Sequence, residues 1–180
     1  MKCVDLRDKH LHILQAGGIA MLTKLKAWKP YIISVAIALG VGTLSGLLSM
    51  GSMEEYAQFV TKPPLSPPGW LFPVVWTILY TLMGISAARV WRSKESSARC
   101  KGLNLYVAQL IVNFFWSLIF FNAQAFGFAV LWLLLLWALV FLMILQFYKV
   151  DKLSALLQIP YLIWLSFATY LSIGVWYLNP

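Results

Sequence analysis

LWLLLLWALVFLMILQF, residues 131–147, contains no charged side chain, no proline and no glycine. A helix crosses a bilayer with about 20 such residues. A lipid-facing β-barrel strand would alternate polar with apolar positions, and this run does not. Outward from it, no charge occurs from Gly102 through Tyr148, and none after Lys152. Four further runs have the same character, so the spans expected are Tyr31–Met50, Trp70–Val90, Leu103–Phe121, Phe126–Tyr148 and Leu153–Leu178. The chain is 61% hydrophobic and 11% charged, against roughly a quarter charged in soluble domains, and its mean hydropathy is +0.78. The expected fold is an all-α integral membrane protein, a five-transmembrane-helix bundle.

The net charge of +8 is unevenly distributed. Lys2, Arg7, Lys9, Lys24, Lys26 and Lys29 precede the first span. Arg89, Arg92, Lys94, Arg99 and Lys101 surround the second connection, and Lys149 and Lys152 the fourth. Lys62 alone lies in the first, beside Glu54 and Glu55. This is the positive-inside pattern, not a nucleic-acid footprint. It puts the N-terminus inside, the C-terminus outside and the first connection outside, with the bilayer, most simply the cell membrane, as partner. Cys3 and Cys100 then share the reducing side, so no disulfide is expected, and His10 and His12 read as part of a solvated tail. Residues 1–28 form a basic leader, disordered or untranslated if synthesis starts at Met21, and residues 29–180 the membrane domain.

The connections differ. The first, Gly51–Gly69, is long and proline-rich, and the second is basic. The third, Asn122–Ala125, and the fourth, Lys149–Lys152, are short. Ala38, Gly42 and Gly46 recur at every fourth position of the first span, a spacing that lets helices approach closely, inside the bundle or in a homodimer.

The spans hold no Asp, Glu, His or Lys, and Arg89 lies at an end. Acid–base catalysis and proton-coupled pumping have no residue to work with, and no metal-ligand spacing occurs. What remains is shape, aromatic surface and a few neutral polar groups. Gln109, Asn113, Trp116 and Phe120 fall on one helical face. Pro73, Trp76, Tyr80 and Met83 make a stripe on span two, and Trp164, Phe167, Ala168 and Leu171 one on span five. Of nine tryptophans, Trp76, Trp116, Trp132, Trp137 and Trp164 lie deep, where an indole N–H needs a partner. Together they suggest a cavity for a large flat ligand, although such stripes more often only pack a core.

KPPLSPPGWLFPVVWTILYTLMG, residues 62–84, resembles the TspO/MBR family of tryptophan-rich sensory proteins, translocator proteins and peripheral benzodiazepine receptors. The matching positions are Lys62, Pro63, Pro67, Pro68 and Trp70, then Trp76, Leu79, Tyr80, Met83 and Gly84. QLIVNFFWSLIFF matches through Gln109, Asn113, Trp116, Phe120 and Phe121, and IPYLIWLSFATYL through Pro160, Tyr161, Trp164, Phe167 and Ala168. The resemblance runs from about Tyr31 to Leu178. It implies five helices around a cavity covered by the first loop, with Lys62, Pro63, Pro67, Pro68 and Trp70 in that lid. The ligand-binding residues it implies are Pro67, Trp76, Tyr80, Asn113, Trp116, Phe120, Trp164 and Ala168. The implied ligands are tetrapyrroles (protoporphyrin IX or haem) and sterol-like or drug-like apolar molecules; no cofactor is required. The sequence departs from the family's Trp-Tyr pair, with Tyr56 and Ala57 there, and at Pro64-Leu65. Ile173, with no basic residue after it, breaks the cholesterol motif.

Three functions fit this reading: a receptor or sensor that binds porphyrin, a porphyrin or lipid transporter, and a light-dependent porphyrin-degrading enzyme using Trp76 and Trp164. No inverted repeat, interrupted helix or intramembrane charge favours a secondary transporter.

Overall fold

The computed structural model describes residues 27–180. The leader, with Met21, Cys3, His10 and His12, lies outside the described residues, except that Ala27 and Trp28 already belong to the first helix. Helix α1 spans Ala27–Leu48. After it come α2, Met50–Phe59, and α3, Leu71–Arg92. Helix α4, Ser97–Ser117, ends in a π turn, Leu118–Asn122. Helix α5 covers Phe126–Val150, α6 Lys152–Leu156 and α7 Ile159–Leu178. Five of these segments, with α6 and α7 counted together, are long and apolar enough to cross a membrane. The protein is an integral multi-pass membrane protein in contact with lipid.

The helices outrun the apolar stretches that announce them. The basic second connection is mostly the start of α4, because Ser96 caps it: its Oγ accepts from the Arg99 N–H at 3.1 Å. Capping satisfies a donor that the helix start would leave orphaned.

Two segments differ from the sequence expectation. The first connection is not wholly a proline-stiffened loop, since Met50–Phe59 is helical. Its Met, Glu, Ala and Gln residues favour helix, and it ends at the extended Val60 before Pro63 and Pro64 forbid another turn. The fifth span is interrupted, with a turn at Leu157–Gln158. Pro160 explains the break, since it has no N–H for the Leu156 carbonyl and its ring would collide there.

The spans form a closed ring. Gly84 of α3 lies against the Val35 backbone of α1, and Gly42 of α1 against the Tyr80 ring of α3. Ser45 of α1 donates to the Phe114 carbonyl of α4 at 2.9 Å. Trp132 of α5 donates to the Val112 carbonyl of α4 at 2.8 Å, and Trp137 to Ser166 Oγ of α7 at 2.9 Å. Ser86 of α3 donates to the Ser154 carbonyl of α6 at 2.8 Å, and Arg89 to Asp151 at 2.7 Å. The order around the ring is therefore α1, α3, α6–α7, α5, α4. Small Ala38 and Gly42 face into it: Ala38 is fully buried. Gly46 has nothing near it. Two of the five deep indoles, Trp132 and Trp137, are thus structural.

Candidate functional site

Helices α3, α4 and α7 turn their polar and aromatic residues toward one another. Helix α4 supplies Gln109 and Asn113, both buried. Asn113 Nδ2 donates to the Tyr80 hydroxyl at 3.0 Å, and the Tyr161 hydroxyl donates to Gln109 Oε1 at 3.1 Å. Trp76 lies over Tyr80, ring centroids 5.4 Å apart, and meets the edge of Tyr161 at 6.1 Å. Trp164 meets Phe72 edge-on at 5.9 Å. Aromatic side chains, rather than close backbone approach, therefore fill the space between α3 and α7.

The π turn builds the end of this region nearest the first loop. Its wider i→i+5 bond, Ala123 N–H to the Leu118 carbonyl at 2.9 Å, bulges the chain at Phe120. Such bulges re-aim side chains and recur at functional sites. Phe120 stacks on Trp116 with centroids 5.0 Å apart and planes at 22°. Tyr56 of α2 closes the cluster against Phe120 at 5.5 Å and Phe121 at 5.2 Å. Burial pushes the Tyr56 phenol up to about 12, so it stays a neutral hydrogen-bonding group. Lys62 lies over its ring and donates to the Ala57 carbonyl at 3.0 Å.

Of the implied site residues, Trp76, Tyr80, Trp116, Trp164 and Ala168 share one apolar cluster, Asn113 joins it through Tyr80, and Phe120 through Trp116. Pro67 is half-buried in the first loop. Pro73 does not share the Trp76–Tyr80 stripe, because it is exposed at the start of α3. Gln109 and Tyr161 form a second hydrogen-bonded pair beside Asn113 and Tyr80, and Tyr56 of α2 joins through its ring contacts with Phe120 and Phe121.

Among the described residues, four buried donors of α4 find no partner: Arg99 Nε, Tyr106 Oη, Gln109 Nε2 and Trp116 Nε1. Leaving a buried donor unpaired costs about 1–3 kcal/mol. Gln109 and Trp116 sit seven residues apart on one face, hence about 10 Å along the axis, with Asn113 between them.

The first loop is fastened to α7. Thr61 N–H donates to Asn179 Oδ1 at 3.0 Å, and Asn179 Nδ2 returns a bond to the Thr61 carbonyl at 2.9 Å. Tyr170 donates to the Pro64 carbonyl at 3.1 Å, and buried Pro63 rests on Gly174. Pro64 and Leu65 form a tight turn, which Ser66 Oγ ties to the Pro63 carbonyl at 2.7 Å. Leu65 has a φ of 67°, a conformation that disfavours a side chain by about 1–2 kcal/mol. Lys62, Pro68 and Trp70 are exposed. Asn179 escaped the sequence reading, since its only signal is polarity at the end of an apolar run, and Tyr170, although inside the IPYLIWLSFATYL stretch, was not singled out there.

Two recesses lie elsewhere. One of about 730 Å³, at the end of the bundle that carries the first loop, includes Phe59, Gln124, Trp176 and Asn179 in its lining. The other, about 350 Å³, lies at the opposite end beside Arg89 and Asp151. Neither is lined by the eight implied residues. Among the described residues no cluster could hold a metal ion.

The TspO/MBR family model matches residues 34–178. The tryptophan-rich protein TspO of Chlorobaculum tepidum is 37% identical over 150 residues, 81% of this chain and 93% of its own. Protein CrtK of Rhodobacter capsulatus is 40% identical over 151 residues, 83% and 91% of the two chains. The human translocator protein is 34% identical over 152 residues, 83% and 89%.

Proposed function

This chain belongs to the TspO/MBR family, and from that we propose that it is a receptor or sensor that binds porphyrins and related apolar molecules. The site is the aromatic and amide surface of α3, α4 and α7, and the first loop covers it. One observation carries the reading: the buried donors without a partner among the described residues include Gln109 Nε2 and Trp116 Nε1, on the aromatic face of α4. A flat ligand with acceptor atoms would satisfy both demands. Its plane would stack on Trp76 and Trp164, and its polar edge would accept from Gln109, Asn113 and Trp116. Ala168 is the small residue that leaves it room. Rings that now meet across α3 and α7, Phe72 on Trp164 and Trp76 on Tyr161, would part to admit it. The N-terminus lies inside and the C-terminus outside, in the cell membrane.

The test is a titration of the purified protein with protoporphyrin IX, in the dark, following tryptophan fluorescence. Saturable quenching is expected, weakened in Trp164→Phe and in Ala168→Leu while both variants still fold. Quenching that saturates equally in both variants would move the ligand elsewhere. Absence of saturation would remove porphyrin from the reading. Illuminating the bound complex separates receptor from enzyme: a new absorbing product, lost in Trp76→Phe, would assign porphyrin breakdown.

A further inference from the structure

We infer that the recess between α1, α3 and the α5–α6 junction is a binding site for a phosphate-bearing anion, with the headgroup of an anionic lipid as its source. The recess is lined by Tyr31, Arg89, Arg92, Ser93, Val150 and Asp151. Asp151 is the fixed part. Its Oδ2 accepts from Arg89 Nε at 2.7 Å and from the Ser154 N–H and hydroxyl, at 3.2 and 2.5 Å; its Oδ1 accepts from Arg89 Nη2 at 3.2 Å. That carboxylate is fully engaged, and it holds the Arg89 guanidinium in one orientation. Arg92 commits only Nη1, to the Ala27 carbonyl at 3.1 Å, and its guanidinium lies 5.4 Å from the Tyr31 ring centre. Among the described residues, Arg89 Nη1 and Arg92 Nε and Nη2 make no hydrogen bond to protein. Among the described residues, two guanidinium groups face one carboxylate in the recess, an excess of one positive charge, and a planar fork of donors matches phosphate oxygens.

Depth and field identify the lipid. Trp28, whose ring lies 6.0 Å from that of Tyr31, and Trp91, next to Arg92 in the chain, are mostly exposed, as belt residues at a membrane interface are. Among the described residues, this end of the bundle carries eight basic residues against Glu95 and Asp151, whereas the other carries Lys62 against Glu54 and Glu55. Basic pockets between spans suit anionic headgroups.

The experiment is native mass spectrometry of the full chain in mild detergent, with phosphatidylglycerol and phosphatidylcholine added in equal amounts. Phosphatidylglycerol should be retained preferentially. Arg92→Gln should reduce that preference about tenfold, the loss of one charge-assisted bond, and Arg92→Lys, which keeps the charge but not the fork, should fall between. Lys101→Gln, an exposed charge at the same end, should change nothing. A second arm measures the thermal stability of lipid-free protein in inorganic phosphate against chloride at equal ionic strength. Stabilisation there, lost in Arg92→Gln and without phosphatidylglycerol preference, would keep the phosphate site and replace its lipid source. Equal retention of both lipids without phosphate stabilisation overturns the site, as does an equal loss in Lys101→Gln. Melting curves of each variant exclude misfolding as the cause.

Discussion

Two tryptophans on neighbouring helices separate packing from binding. The Trp132 indole donates to the Val112 carbonyl, whereas the Trp116 N–H is buried with no acceptor among the described residues. Trp132→Phe is therefore expected to lower stability by about 1 kcal/mol and leave porphyrin affinity unchanged. Trp116→Phe should weaken porphyrin binding with no loss of a protein hydrogen bond. Thermal unfolding and quenching titrations of both variants check this, and the same loss in each would return Trp116 to the core. The glycines make a second contrast. A methyl group on Gly84 would come within 2.5 Å of the Val35 Cα, which cannot yield, so Gly84→Ala is expected to destabilise by about 1–3 kcal/mol. On Gly42 it would press the Tyr80 ring, a movable side chain in the site, so Gly42→Ala should alter ligand affinity more than melting temperature. On Gly46 it meets nothing, and Gly46→Ala should be silent. Sequence spacing placed Ala38, Gly42 and Gly46 on one face but could not rank them. Helical period fixes which way a residue points and is silent about what opposes it. For the same reason Gln109 and Tyr161 were visible as motif residues, yet their pairing across two helices was not.

At the level of elements, hydropathy located every span and misjudged what lies between and within them. Glu54 and Glu55 read as loop, yet helix formers around them carry α2. Pro160 stood in the sequence as a signal for the α6–α7 break, and the apolar run around it hid that signal. The loop fastening yields a kinetic expectation. Asn179→Ala removes both bonds to Thr61, so porphyrin should associate and dissociate faster in stopped flow, with a smaller change in affinity. Unchanged rates would mean that the loop does not gate the site. The Arg89–Asp151 pair joins α3 to the start of α6 and is pH-dependent. The Arg89 guanidinium, with help from Ser154, holds the Asp151 carboxyl down at about 2. Its folded value lies below the unfolded one, so its contribution is complete above the ordinary carboxylate range. It fades as pH falls from about 4 toward 2. Melting temperature should drop across that window, and Asp151→Asn should flatten the drop while lowering stability at neutral pH.

For the whole molecule, the all-helical membrane class was legible from a single apolar run. The ring order was not, because it depends on contacts such as Ser45–Phe114 and Ser86–Ser154, made between residues 69 and 68 positions apart. Orientation rests on the basic residues and is open to a direct check. Cys100 is exposed at the basic end, so a membrane-impermeant maleimide should label it only after cells are permeabilised. Labelling in intact cells would invert the topology. The Thr61–Asn179 bracket joins residues 118 positions apart, and that separation constrains biogenesis. The chain emerges from the ribosome in order, and Asn179 comes after all five spans. Until Asn179 has been synthesised, Thr61 lacks that partner. Every newly made chain therefore passes through a stage in which the first loop exists without the bracket that later holds it to α7.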